Sequence, residues 1–131
     1  MFDFLKKIKI TYGITVCNEY DELKLLLDTL LPLKDRRDEI LVLQDITNEN
    51  SDVTELIEGY GKKVRRIKAK LNGDFATFKN NLVHHSTGDY LFQIDADEYP
   101  TRQLIKSLKK YLKKEKDKEI FKLLNICKIN Q

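Results

Sequence analysis

The sequence predicts an α/β domain, a mostly parallel sheet with helices on both faces. Three observations predict it. Short runs rich in β-branched and apolar residues alternate with longer runs in which leucines recur at helical spacing. Strand–helix alternation requires crossover connections, and crossover helices cover a parallel sheet on both sides. The chain has 131 residues, 41% of them hydrophobic, which supplies the core of one domain.

The elements follow in order. Residues 8–17 (IKITYGITVC) form a first strand, rich in β-branched residues. Over residues 20–31, Leu23, Leu26, Leu27, Leu30 and Leu31 share one helical face, and Pro32 ends the pattern. Residues 39–46 (EILVLQDI) read as a second, buried strand. Asp52, with Glu55 three residues on, resembles a capping box for a helix bearing Val53, Leu56, Ile57 and Tyr60. That helix stops near Gly59 and Gly61. Residues 63–68 give a weaker third strand. Asp74 caps a helix with Phe75, Phe78, Leu82 and Val83, closed by Gly88. Residues 89–94 (DYLFQI) are a fourth strand, and Pro100 suits the first turn of a helix with Leu104, Ile105, Leu108, Tyr111 and Leu112 on one face. Residues 119–129 (EIFKLLNICKI) read as a fifth strand.

Composition narrows the function. Charged residues make up 34% of the chain, a solvated surface around a real core. A net charge of +3 is too small to imply nucleic acid. No apolar run is long enough for a transmembrane segment. The start, MFDFLKKIKI, carries its charge after the apolar residues and has no cleavage signal. Cys17 and Cys127 lie far apart in apolar runs, which predicts buried reduced thiols and a cytoplasmic protein.

Ligands of such sheets bind beyond the carboxyl ends of the strands, where strand order reverses. The polar residues directly after each strand therefore carry the argument. They are Asn18 and Glu19 after the first, Asp45 after the second, and Asp95, Asp97 and Glu98 after the fourth. A convergence of acids at one edge calls for a cation or a cationic ligand, and it places the first strand between the second and the fourth. Asp95 and Asp97, two residues apart at a strand end, can share one hard cation such as Mg2+ or Mn2+. The alternative is an acidic loop at the start of the next helix. Asp45 has two readings, a hydrogen-bond acceptor for a nucleobase or a turn residue bonding its own backbone. Asn18 is placed to cap the helix that follows it. Lys79 and Asn80 lie in the helix before the fourth strand, where Asn is a poor helix residue and hints at a specific role. His84 and His85 are adjacent, point apart, and read as structural. The lysines from Lys106 to Lys118 read as a solvated helix face, with an anionic partner or membrane surface as the lesser reading.

Several segments together resemble family 2 glycosyltransferases of the GT-A fold. ITVCNEYDELKLLLDTL resembles the family's opening strand and helix, and EILVLQD with NSDVTELI its second strand and next helix start. DFATFKNNLVHHSTGDYLFQIDADE resembles its stretch from a basic-Asn pair through Gly-Asp-Tyr to an Asp-x-Asp motif. The likeness covers about residues 9–100 in the family's order and spacing. It implies a Rossmann-like GT-A domain that binds a nucleotide-diphosphate sugar, a UDP-sugar as the expected donor, through Mn2+ or Mg2+, and transfers the sugar to an acceptor. Thr15, Val16 and Glu19 would line the nucleoside pocket, and Asp45 would contact the base. Lys79 would sit near the base or phosphates, with Asn80 supporting that loop. Asp95 would lie toward the ribose and metal, and Asp97 would be the main metal ligand. Thr15 stands where the family usually carries Pro, Lys79 replaces the commoner Arg, and the loop from Asp45 to Asp52 is longer and lacks the usual Gly.

Family catalytic domains continue further, so the expectation is a truncated domain without its acceptor-binding half, and no general base is found after Glu119. Two other readings stand beside this one. A non-catalytic nucleotide- or sugar-binding module would keep the fold without the chemistry. A phosphotransferase with Asp95 as nucleophile fits less well, because that motif normally ends the first strand and here it ends the fourth. The acceptor, and whether the chain forms an oligomer, are left open by the sequence.

Overall fold

The structure is a computed structural model that describes residues 7–114 and 122–129. Five strands, β1 (Ile10–Val16), β2 (Glu39–Asp45), β3 (Arg65–Ala69), β4 (Tyr90–Asp95) and β5 (Ile126–Lys128), make one sheet in the order β3-β2-β1-β4-β5. The first four are parallel, and β5 pairs antiparallel with β4. As expected, β1 lies between β2 and β4, and the sheet is mostly parallel with helices on both faces.

Among the described residues, helices α1 (Tyr20–Leu33), α2 (Ser51–Gly59), α3 (Phe75–His85) and α4 (Arg102–Lys114) lie between the strands. Alternation along β1 decides which face each helix covers. Ile10, Tyr12, Ile14 and Val16 point into the larger core, with Leu23, Leu26, Leu27 and Leu30 of α1, Val53 and Ile57 of α2, and Ile105, Leu108 and Leu112 of α4. The opposite side of β1 presents Thr11, Gly13 and Thr15, which are small. There α3 packs close, with Phe78 and Leu82 against Leu41, Leu43 and Leu91. A Cβ on Gly13 would stand 2.8 Å from the Leu91 side chain and 3.2 Å from Leu82. Gly13 is thus a space requirement for α3, not a turn residue.

Several local expectations need correction. Pro32 lies inside α1, which runs one residue further to Leu33. Neither Asn18 nor Asp52 is a cap. Glu19 occupies the N-cap of α1 without a side-chain cap bond, and α2 is capped by Asn50, whose Oδ1 accepts from the Val53 amide at 3.1 Å. Asp52 sits in the first turn of α2, where its charge still suits the helix dipole. Asp74 does cap α3, accepting from the Thr77 amide at 3.2 Å. Gly88 does not end α3. It closes on β1, where a Cβ would lie 2.7 Å from the Thr11 backbone nitrogen. Phe75, Val83 and Tyr111 are exposed, so those helix faces are narrower than the apolar pattern suggested. The fifth strand covers three residues rather than eleven, and the start of that prediction, residues 119–121, lies outside the described residues. Cys127 is exposed and Cys17 half-buried, and both are free.

Candidate functional site

The carboxyl ends of β1, β2 and β4 open into one cleft of about 380 Å3. It lies where the chain, having moved outward from β1 through β2 to β3, returns to β4 on the other side of β1. Such a reversal leaves a crevice that no crossover helix fills. Thr15, Val16, Cys17 and Glu19 line it from β1, Asp45 from β2, and Asp95, Ala96 and Asp97 from β4. Leu71, Phe75, Phe78 and Lys79 line it from α3 and the loop before it. That loop turns on Asn72 (φ 52°) and Gly73 (φ 75°), two left-handed residues in succession. Of the residues singled out in the sequence, Asn18 and Glu98 do not line it, and neither does Asn80. Asn80 is exposed on α3, and its neighbour Asn81 instead bonds the helix backbone at the Phe78 carbonyl, at 2.9 Å.

The carboxylates in the cleft are held very differently. Asp95 stands opposite Thr15 in the β1–β4 register, and the Thr15 hydroxyl donates to its Oδ1 at 2.7 Å. The Lys79 ammonium approaches the same oxygen at 3.5 Å. Thr15 therefore fixes the orientation of Asp95. One residue on, the Ala96 amide donates to the Thr15 carbonyl at 2.9 Å, which ties the start of the loop to β1. Glu98 closes the turn. Its carboxylate accepts from the Asp95 amide at 2.8 Å, and its own amide donates to the Asp95 carbonyl at 2.9 Å. Between these anchored residues, Asp97 is exposed, and no hydrogen bond or ion pair among the described residues engages its carboxylate.

Asp45 takes the turn role, one of the two readings the sequence left open. Its Oδ1 accepts from the Thr47 amide at 2.9 Å, the Thr47 hydroxyl at 2.7 Å and the Leu71 amide at 3.3 Å. Burial alone would raise its carboxyl, but these three bonds outweigh it and hold the group below its usual range. Among the described residues nothing bonds Oδ2, so a turn-forming Asp still presents an ionised acceptor to the cleft. Glu19 folds back to accept from the Cys17 amide at 2.9 Å. The Cys17 thiol is pushed up by burial, and then by the Asp45 and Glu19 charges. It sits in the cleft as a neutral thiol at neutral pH.

Sequence reading missed Cys17, Leu71, Phe75, Phe78 and Ala96 as cleft residues. Phe75 carried a usable signal. It opens the apolar face of α3, yet at the first turn beyond the sheet edge there is no core to cover it, and it is 65% exposed. Leu71 carried no signal, because only the turn at Asn72 and Gly73 brings it over the cleft.

A metal can be tested against this donor set. Among the described residues no three His, Cys, Asp or Glu side chains gather as a metal-binding cluster. Mg2+ and Mn2+ at a phosphate substrate need fewer, since one or two carboxylates are completed by phosphate oxygens and water. Asp95 already attracts an ammonium, and Asp97 offers an exposed carboxylate beside it. The oxygen donors present therefore fit a hard divalent cation.

An open doubly wound sheet with acids from three strand ends in one crevice defines the class, an α/β domain of the GT-A type. The chain belongs to glycosyl transferase family 2, whose profile matches residues 11–126. Solved structures share the fold. S. aureus TarS 1-349 is 18% identical, with a TM-score of 0.66 over 82% of this chain and 33% of that one. The same TarS fragment in complex with UDP-GlcNAc gives 18% identity and a TM-score of 0.65 over 82% of this chain and 32% of that one. The mannosyltransferase PcManGT from Pyrobaculum calidifontis, in complex with GDP-Man and Mn2+, gives 18% and 0.64 over 79% of this chain and 32% of that one. The chain thus spans about a third of the length of these structures. No curated protein matches it. Among the described residues no helix is long and apolar enough to cross a membrane.

Proposed function

We propose that the cleft binds the nucleotide-diphosphate part of a sugar donor, a UDP-sugar, and that Asp97 and Asp95 hold the divalent metal that accompanies it. The observation that carries this reading is the contrast within the Asp95–Glu98 loop. Asp95 and Glu98 are fastened, while Asp97 projects an unengaged carboxylate into the cleft beside them. Family membership supports it, as do the ligands named with two fold neighbours, UDP-GlcNAc with TarS and GDP-Man with Mn2+ in PcManGT.

Each side chain then has a task. Thr15, Val16 and Glu19 bound the nucleoside, and Asp45 accepts a hydrogen bond from the base through Oδ2. Lys79 leaves Asp95 and turns its ammonium to the phosphates, a small cost because an exposed pair at 3.5 Å holds weakly. Asp95 is kept in place by Thr15 and faces the ribose and the metal. Asn80 supports α3 from outside the cleft. When bound, Mn2+ or Mg2+ neutralises the charge that builds on the diphosphate as the sugar leaves. The acceptor site and the base that deprotonates the acceptor belong to residues beyond this donor cleft. The two free thiols fit a reducing cytoplasm as the working compartment.

Titration calorimetry with UDP, with and without Mn2+, tests the reading. UDP should bind with metal, and binding should fall at least about tenfold with chelator or in Asp97→Ala, since unscreened acids then face the diphosphate. Equal affinity with and without metal would remove the metal assignment. A donor-turnover assay on the same sample should show slow or absent transfer, because a missing base costs roughly 10²–10⁴ in rate. Rapid transfer would place the base within this chain.

A further inference from the structure

The sheet edge opposite the cleft carries the reverse charge. Two hollows of about 700 and 650 Å3 lie there, where β1, β2 and β3 begin. Arg36 lines both, so they form one continuous surface. Ten lysine and arginine side chains line them against three acids, a local excess larger than the net +3 of the chain.

The three acids are already committed to the fold. Asp38 accepts from the Ile10 amide at 2.9 Å and pairs with Lys109 at 3.0 Å. Asp35 pairs with Lys109 at 2.6 Å, and Glu39 with Arg65 at 2.9 Å. Apart from Lys34, whose ammonium donates to the Asp35 and Asp38 carbonyls, six cations remain without an acidic partner among the described residues: Lys7, Arg36, Arg37, Lys62, Lys63 and Lys113. All six are exposed. No interior ion-pair network uses them, and together they make a field that attracts anions.

We propose that this edge is a docking surface for an anionic lipid bilayer. The cations are spread over the loops before three parallel strands and the end of α4, rather than converging on one point. No buried side-chain polar atom among the described residues lacks a partner, so no buried donor is held in reserve for a discrete ion. A dispersed set of mobile cations fits an extended anionic surface better than a discrete ion. Nucleic acid fits less well, because no aromatic side chain lines either hollow to stack on a base. Docking by this edge turns the carboxyl-edge cleft away from the bilayer and leaves it open, which does not depend on what the cleft binds.

The test is co-sedimentation of the whole chain with vesicles. One set is equimolar phosphatidylcholine and phosphatidylserine, and the other is phosphatidylcholine alone, at about 0.15 M salt. The chain should partition to the anionic vesicles only, and release as salt approaches about 1 M, where the screening length falls to about 3 Å. The variant Arg36→Glu/Arg37→Glu/Lys62→Glu/Lys63→Glu should lose at least about tenfold in partitioning, since each basic residue near the surface contributes appreciably. A control with the same charge change elsewhere, Lys68→Glu/Lys70→Glu/Lys106→Glu/Lys110→Glu, should lose clearly less. All eight positions are exposed, so folding should persist, with circular dichroism as the check. Equal loss in both variants would reduce the effect to net charge and overturn the proposal. So would binding to neutral vesicles, no binding to either set, or retention on single-stranded DNA without retention on the anionic vesicles.

Discussion

The two edges of the sheet use the same residue types for opposite ends. At the amino edge, Asp38 and Glu39 begin β2. At the carboxyl edge, Asp45 ends β2 and Asp95 ends β4. The Asp38 side chain is 1% exposed and accepts from the amides of Ile10 and Asp35 while pairing with Lys109. Glu39 accepts from the Thr11 hydroxyl and from both the amide and hydroxyl of Thr87, each at 2.7 Å. Here the acids satisfy strand-start donors that the ladder leaves open. At the carboxyl edge Asp95 is half-engaged, Asp45 keeps one oxygen open, and Asp97 has no partner among the described residues. The lesson is that an acid beside a strand is informative by its saturation. Saturated carboxylates hold the fold, and unsaturated ones are available to a ligand.

That contrast can be broken by mutation. Asp38→Ala should be the most damaging change, because it leaves the Ile10 and Asp35 amides without their acceptor and takes from Lys109 the buried one of its two carboxylates. Each buried donor left without its acceptor costs about 1–3 kcal/mol. Urea denaturation should show it, and a loss under about 1 kcal/mol would contradict a structural role for Asp38.

Glu39→Gln should cost about 2 kcal/mol at neutral pH, through bonds that favour the ionised form. Burial would raise this carboxyl, but the bonds from Thr11 and Thr87, together with Arg65, hold it below its ordinary value. The unfolded chain then takes up the proton more readily than the folded one. The stabilisation is therefore complete above the ordinary Glu value of about 4.3 and is lost as pH falls through the lower folded value. Melts of the two proteins should converge in acid and separate toward neutrality. A gap independent of pH would mean that shape, not charge, sets the effect.

Asn50→Ala should cost about 1 kcal/mol, as the loss of a helix cap does, while Asp52→Ala should change stability by less. Thermal melts of both would rank them, and the reverse order would return the cap to Asp52.

The smallest expected effect sharpens the comparison most. Asp97→Ala should shift stability by no more than about 0.5 kcal/mol, although it abolishes metal-dependent nucleotide binding in the proposed function. A large loss of stability would show that Asp97 belongs with the saturated acids.

Much of this was legible in the chain, and the reason is periodicity. Alternation in IKITYGITV and the leucine spacing of α1 depend only on which face each residue turns to the core, so strand and helix order followed directly. Sheet order followed from one further step, the demand that Glu19, Asp45 and Asp95 meet. The caps were misplaced, because Asn50 and Asp52 are equally good caps locally and the path of the chain chose between them. The extent of β5 was overestimated, since an apolar run does not say where its pairing with β4 begins.

By itself the sequence determined the parallel core, the edge where strand-end polar residues gather and the acids to weigh there. Only the tertiary structure decided which acids are open. Saturation depends on partners far along the chain, Thr15 for Asp95, Leu71 for Asp45 and Lys109 for Asp38. The exposure of Phe75, the placing of Leu71 over the cleft and the merging of separate lysines and arginines into one basic edge have the same origin. Each is a distance between residues remote in sequence, and local pattern carries no record of it.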